Sequence, residues 1–326
     1  MEVAAPQRMT TSRCAVLAAP RQVTLERVVA PAPGPGQVRI CIRGSGVCGS
    51  DLPVWEGRAW FDYPRKPGAP GHEGWGIVDA VGDGVDGLEV GVPVASLGSQ
   101  AYGEHDLVDA DALIPLPAAL EGADFPGEAL GCAVNVARRS AISPGQLVAV
   151  VGSGFLGSVV IQLAARAGAR VVAVSRRESA LELAQAMGGE RAIALHDDPV
   201  ARIRELTGGE GCDCVIEAAG RQETLDLAGE LTRVRGRLVI AGYHQDGRRS
   251  VDMQMWNWRG LDVINAHERD RAVYAAGVRE AAKLVAAGEL DPAPLYTHRF
   301  RLDRLADAFT AASERPDGFM KALVLA

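Results

Sequence analysis

The stretch Val151-Gly152-Ser153-Gly154-Phe155-Leu156-Gly157 constrains the fold of this chain more than any other. It joins an apolar run, Leu147 to Val151, to an amphipathic stretch, Ser158 to Ala167, and a second apolar run follows at Val171 to Val174. Gly-x-Gly-x-x-Gly alone is a weak signal, because glycine is common in tight turns. Between a strand and a helix of a βαβ unit it is a strong one. In that setting Gly152 permits the turn, Gly154 lets the backbone approach a pyrophosphate, and Gly157 lets helix and strand pack closely. The helix N-terminus then offers unpaired N–H groups and partial positive charge to the phosphates. The segment is read as a dinucleotide site, against the alternative of a tight turn in a non-binding α/β fold.

The rhythm on either side of this motif differs. From Arg13 to about Leu116 short alternating runs, such as Val38 to Ile42, Gly76 to Val81 and His105 to Val108, are broken by Gly and Pro and predict a β-rich region. From Leu147 strands and helices alternate. The strands expected are Leu147–Val151, Val171–Val174, Arg191–Leu195, Cys214–Glu217, Leu238–Ala241 and Val263–Ala266. The helices expected are Leu156–Ala167, Ala180–Met187, Val200–Leu206, Thr224–Arg233 and Arg271–Ala287. Such alternation implies parallel strands with helices on both faces. The tail from Pro292 returns to mixed structure and could rejoin the first region.

At 326 residues the chain is long for one core and suits two domains. A formal charge of −7 argues against non-specific nucleic-acid binding, which needs a basic face. No apolar run approaches the roughly 20 residues that span a bilayer. Met1 to Ser12 lacks the apolar centre of a secretory leader and is expected to be an unstructured extension. Six scattered cysteines suit a reducing cytoplasm. Cys212 and Cys214 share one face of a predicted strand and are read as buried small apolar residues.

Upstream of the glycine motif lie Gly46-Val47-Cys48-Gly49-Ser50-Asp51 and Gly71-His72-Glu73. Thiolate, imidazole and carboxylate are the ligands zinc takes in tetrahedral geometry, and a catalytic site keeps one position open. Spacing alone would instead favour packing for Cys48 and a hydrogen-bonded loop position for His72.

These segments, with Pro70-Gly71-His72-Glu73-Gly74, the glycine motif and the weaker Tyr102-Gly103-Glu104-His105, resemble the zinc-containing alcohol and polyol dehydrogenases of the medium-chain dehydrogenase/reductase family. The likeness runs from about Cys14 to Leu325. It implies a Rossmann doubly wound parallel sheet at 128–267 and a β-rich, GroES-like catalytic domain at 1–127 and 268–326. It also implies that Cys48 and His72 bind one catalytic zinc. The family's third ligand, a Cys or Glu, lies seventeen residues before the glycine opening the first nucleotide strand; with Gly145 there, the position is Glu128. Glu128 is then a ligand or a carboxylate holding the zinc water, Glu73 is its rival, and Cys132 a weaker substitute. Asp51 matches the carboxylate that orients a liganding histidine, and Ser50 the hydroxyl that passes the substrate proton outward. The relay histidine of many alcohol dehydrogenases is replaced by Pro53. The four-cysteine structural zinc lobe has no counterpart between Glu89 and Ala110, so one zinc per subunit is expected.

After the second nucleotide strand comes Ser175-Arg176-Arg177, where NAD enzymes usually place an acid for the ribose 2′-OH. These residues suit a 2′-phosphate and favour NADP(H), unless Glu178 turns inward or the arginines only cap a surface loop. Ala218-Ala219-Gly220 and Ala241-Gly242-Tyr243, at the ends of the fourth and fifth nucleotide strands, are further cofactor candidates. Trp55, Trp60, Phe61, Tyr63 and Trp75, and separately Trp256 and Trp258, either wall a substrate pocket or pack at interfaces. Among the other histidines, read as surface or structural, His244 is placed nearest the cofactor. The expected activity is hydride transfer between NADP(H) and a secondary alcohol or polyol, or its ketone. Reduction of a C=C or imine bond, and a non-catalytic dinucleotide-binding role, are the alternatives. The family's habit of pairing nucleotide domains edge to edge implies a homodimer or homotetramer, with Leu261 to His267 supplying the edge.

Overall fold

The computed structural model describes residues 11–326. The extension expected over Met1–Ser12 lies outside them, except that Thr11 and Ser12 already belong to the first strand. By internal packing the chain divides into two units. The first holds the described residues up to Glu128 with His298–Ser313 and Ala322–Ala326; the second holds Ala129–Thr297 and Glu314–Lys321.

The first unit opens with an antiparallel pair, β1 (Thr11–Ala19) and β2 (Gln22–Val29). There follow β3 (Gln37–Gly46), the short helix α1 (Leu52–Glu56), β4 (Glu73–Val81), β5 (Pro93–Ser96), β6 (His105–Asp109) and β7 (Leu113–Pro115). Alternation is plain in β3, where Val38, Ile40 and Ile42 are buried while Arg39 and Cys41 are half-buried. A strand points successive side chains to opposite faces, so this pattern turns one face to the core shared with Val78, Val94 and Val108. Truncating Ile40 to Ala would cost about 2–5 kcal/mol.

The second unit begins within α2 (Gly127–Ser140) and continues with β8 (Leu147–Val151), α3 (Phe155–Arg166), β9 (Arg170–Ser175), α4 (Glu178–Ala186) and β10 (Arg191–Ala194). Then come α5 (Pro199–Thr207), β11 (Cys212–Glu217), α6 (Gln222–Leu231), β12 (Thr232–Ile240), α7 (Met253–Arg259), β13 (Asp262–Asn265) and α8 (Arg271–Ala286). Its six strands are all parallel, in the order β10-β9-β8-β11-β12-β13. Every residue of β8 is buried, as expected of a strand covered on both faces. The order reverses beside β8, between β9 and β11, which opens a crevice at the carboxyl ends of these strands. Cys212 and Cys214 are buried in β11, and burial pushes both thiols up to about 12, leaving them inert at neutral pH.

The chain then returns through β14 (His298–Arg301), α9 (Leu305–Glu314) and β15 (Ala322–Leu325). β15 pairs with β14 and with the end of β3, completing a sheet ordered β14-β15-β3-β4-β5-β7 with β6 on the other half of β3. The return begins at His298; residues 268–297 and 314–321, expected with the first unit, group with the second. The reason is packing: α8 lies so close to α2 that a Cβ built on Gly131 would sit 2.6 Å from a Val278 methyl. Helices α2 and α7 were not among the expected elements. No helix among the described residues is long and apolar enough to cross a membrane.

Candidate functional site

Two sequence segments meet because of strand register. In the β3–β4 pair, Gly46 at the end of β3 lies opposite Glu73 at the start of β4. Cys48, two residues beyond Gly46, therefore comes to His72, one residue before Glu73. One ligand atom from each of Cys48, His72 and Glu73 lies within 4.8 Å of the others. Cys48 and His72 are half-buried, and Glu73 is buried. Zinc bonds of about 2.0–2.3 Å nearly span such a group. Glu128, half-buried in the first turn of α2, is not part of it.

Asp51 organises the group. Its Oδ2 accepts from the Cys48 backbone N–H at 3.0 Å and from the Tyr102 hydroxyl at 2.6 Å, and its Oδ1 lies 3.3 Å from His72 Nδ1. His72 Nδ1 also lies 2.9 Å from the Pro70 carbonyl. With Nδ1 facing these acceptors, Nε2 is left for an ion, and the Ser50 hydroxyl lies 3.4 Å from it. Burial alone would lower the His72 pKa; the charge and hydrogen bond of Asp51, then Cys48, outweigh it and hold the imidazole well above its ordinary value. A proton thus favours the place a cation would take. Tyr102, wholly buried, is raised well above its usual range by burial first and Asp51 second, so it stays a donor. Gly71 has a steric reason: a Cβ there would lie 2.7 Å from the Tyr102 nitrogen.

The glycine motif is a backbone device, and each glycine has its own cause. Gly152 adopts φ +104° and sits against Ala219, where a Cβ would meet backbone nitrogen at 2.9 Å. A Cβ on Gly157 would lie 2.0 Å from the Gly152 carbonyl oxygen. Gly154 is the opposite case, since a Cβ there would meet nothing within 4 Å. The backbone at Gly154 faces open space, with Phe155 and Leu156 beginning α3 behind it. Ser175 ends β9 and is buried, and Arg176 after it is exposed. Glu178 is exposed in the first turn of α4, where a negative charge suits the helix dipole. Arg177 donates to the Phe319 carbonyl and lies 3.6 Å from the Met320 sulfur.

Two residues went unnoticed in the sequence as parts of the site. One is Tyr102, described above. The other is Glu217, the last residue of β11 and wholly buried. Its Oε1 accepts from Ala219 N, Gly220 N and Thr224 Oγ1 at 2.7–2.9 Å, and its Oε2 lies 3.0 Å from His244 Nε2. Arg249 Nε donates to His244 Nδ1 at 2.8 Å. Glu217 thereby joins the loop holding Ala219 to the loop holding Gly242 and Tyr243; a buried carboxylate ending a predicted apolar strand was the available signal. Tyr243 is exposed and stacks on His267. Of the aromatics, Trp55 and Trp75 are core residues, Trp55 stacking on Phe309 at 5.2 Å, whereas Trp60 and Trp258 are exposed.

Residues 34–118 match the family described as alcohol dehydrogenase GroES-like domain, and residues 156–283 match that described as zinc-binding dehydrogenase. The 2-dehydro-3-deoxy-L-galactonate 5-dehydrogenase of Pseudoalteromonas atlantica is 27% identical over 322 residues, covering 90% of this chain and 92% of that protein. An alcohol dehydrogenase of Rhizobium meliloti is 30% identical over 266 residues, 72% of this chain and 77% of that one. Among solved structures, 2R,3R-butanediol dehydrogenase from Bacillus subtilis superposes with a TM-score of 0.83 at 26% identity, covering 97% and 99% of the two chains. The chain belongs to the zinc-type medium-chain dehydrogenase/reductase family. It is an oxidoreductase, with relatives named as alcohol and polyol dehydrogenases. The family's zinc and nicotinamide dinucleotide fit the residues present. Thiol, imidazole and carboxylate form the donor set for one, and Gly154 leaves a cradle for the phosphates of the other.

Proposed function

We propose that this chain is a zinc-dependent, NADP(H)-linked dehydrogenase interconverting a secondary alcohol or polyol and its ketone. The observation that carries this reading is the Cys48–His72–Glu73 group with Asp51 behind it. When bound, zinc polarises the substrate oxygen, and nicotinamide gives or takes the hydride. Cys48 and His72 hold the ion. Glu73, by its proximity, is the third ligand, with Glu128 as a carboxylate outside the first three. Asp51 keeps His72 in the tautomer that presents Nε2. Ser50 passes the substrate proton outward. Pro53, buried in α1, cannot continue that relay, so the proton would leave Ser50 for water, another residue or, with cofactor bound, its ribose. Relatives named for a sugar-acid ketone and for a butanediol support a substrate with more than one oxygen function.

Glycines 152, 154 and 157, with Phe155 and Leu156, hold the pyrophosphate, while Ala219, Gly242 and Tyr243 line the carboxyl ends of β11 and β12. Ser175 and Arg176 hold the 2′-phosphate in place of an acid. The test is a panel of alcohols and ketones, with NADP(H) and NAD(H), read at the nicotinamide absorbance before and after chelation. Activity lost on chelation and restored by zinc, with higher kcat/KM for NADP(H), supports the reading; a clear NAD preference overturns its cofactor half. Zinc retention should fall more in Glu73→Gln than in Glu128→Gln, and the reverse order would move the third ligand to Glu128. Pro53 leaves C=C or imine reduction as a second reading, and a zinc-independent quinone or enone reduction would keep its activity in Cys48→Ala.

A further inference from the structure

A chain of net charge −7 gathers four arginines in its second unit from three separate places. Arg176 and Arg177 follow β9, Arg221 caps α6 after β11, and Arg315 lies in the 314–321 segment. Strands β9 and β11 flank β8, so the loops after them stand on either side of the glycine turn. The 314–321 segment is pinned to the β9–α4 turn. Arg177 donates to the Phe319 carbonyl and reaches Met320, and the Ser179 hydroxyl donates to Asp317 at 3.0 Å. Arg315 is held at φ +50°, a backbone conformation few residues other than glycine adopt without support from their surroundings.

The charges are mutually unfavourable. Burial, then the charges of Arg177, Arg221 and Arg176, hold Arg315 below its ordinary pKa. Burial and Arg176 do the same to Arg177, opposed by Asp317. Like charges gathered this way are stabilised by an anion among them, and guanidinium forks match phosphate oxygens in pairs.

We infer that Arg221 and Arg315 complete, with Ser175 and Arg176, the pocket for the ribose 2′-phosphate, and that Arg177 is the strut holding Arg315 over it. This rests on the NADP(H) reading above. It adds that the cofactor phosphate is gripped by a segment lying about 140 residues beyond the strand that begins the pocket. Arg177, which the sequence offers as a direct contact, acts here as a positioning residue.

The test is calorimetric titration of the full chain with 2′,5′-ADP, 3′,5′-ADP and 5′-AMP, which needs neither zinc nor turnover. The variants are Arg221→Gln, Arg315→Gly (glycine accepts the positive φ), Arg177→Met and the Arg177/Arg315 double variant, with Tm as the check on folding. Wild type should prefer 2′,5′-ADP to both other nucleotides. Arg221→Gln and Arg315→Gly should each weaken 2′,5′-ADP about tenfold or more, as loss of a charged hydrogen bond does, with 5′-AMP unchanged. Arg177→Met should also weaken 2′,5′-ADP, yet add nothing when Arg315 is already glycine. If wild type keeps its preference while both Arg221→Gln and Arg315→Gly leave it intact, the inference is overturned and the NADP(H) reading stands. If 3′,5′-ADP binds as tightly as 2′,5′-ADP, the arginines are a general phosphate trap and the assignment fails. A wild type indifferent to the 2′-phosphate removes the NADP(H) reading and this inference with it.

Discussion

The two candidate sites, one in each unit, are built from opposite materials. In the second unit the glycine turn works by what it lacks: a Cβ at Gly157 collides with a carbonyl, and at Gly154 it would enter open space. In the first unit the Cys48–His72–Glu73 group works by what it carries, a thiol, an imidazole and a carboxylate. The first kind of site is broken by adding atoms and the second by removing them. They also differ in reach. The turn is seven consecutive residues, whereas the ligand group joins two loops through the register of β3 against β4.

The largest effect should come from the side-chain site. Cys48→Ala should lower kcat/KM about a thousandfold or more, since Lewis-acid stabilisation of several kcal/mol is lost at 1.36 kcal/mol per decade. Elemental analysis should show one zinc per wild-type chain and little in the variant, with dinucleotide affinity unchanged; zinc retained at full activity would sink the assignment. Gly157→Ala is the converse. Overpacking of about 1–3 kcal/mol should weaken dinucleotide binding up to about 100-fold in a fluorescence titration, while zinc content holds. Asp51→Asn leaves all three ligands present but loosens His72 and the Cys48 turn, for a loss of about 10–100-fold in zinc affinity or activity. An unchanged zinc affinity and pH profile would reduce Asp51 to a packing role. Gly154→Ala is the smallest and the most diagnostic. With nothing near its added methyl, Tm should stay put, while dinucleotide affinity falls about tenfold, one contact's worth at 1.4 kcal/mol. If affinity and Tm are both unchanged, the space before Gly154 is not the phosphate cradle.

Legibility followed the same division. The parallel sheet could be read almost strand by strand, because strands buried on both faces are written as apolar runs; Leu147–Val151 matches β8 at both ends. The glycine turn was legible because its requirement is local. The ligand pair Cys48 and His72 was visible only through resemblance, since no periodicity reports which residues a strand register will bring together. Helix α2 went unmarked, although its stripe ends in two arginines suited to a helix C-terminus. That residues 268–297 pack with the second unit is not legible, because a close helix–helix contact through Gly131 leaves no mark in composition. Tyr102 and Glu217 were missed for a related reason: each matters through a partner distant in sequence, Asp51 for one and His244 for the other.

The pairing of β15 with the last residues of β3 has a consequence for biosynthesis. Leu323 lies opposite Gly46, and Val47 donates its N–H to the Ala322 carbonyl, immediately before Cys48. A nascent chain emerging from the ribosome therefore exposes the thiol loop with one flank of its supporting strand unpaired until the whole nucleotide-binding unit has been translated. Metal acquisition should be a late event in maturation, since until then that stretch of β3 offers unpaired backbone groups beside the thiol loop.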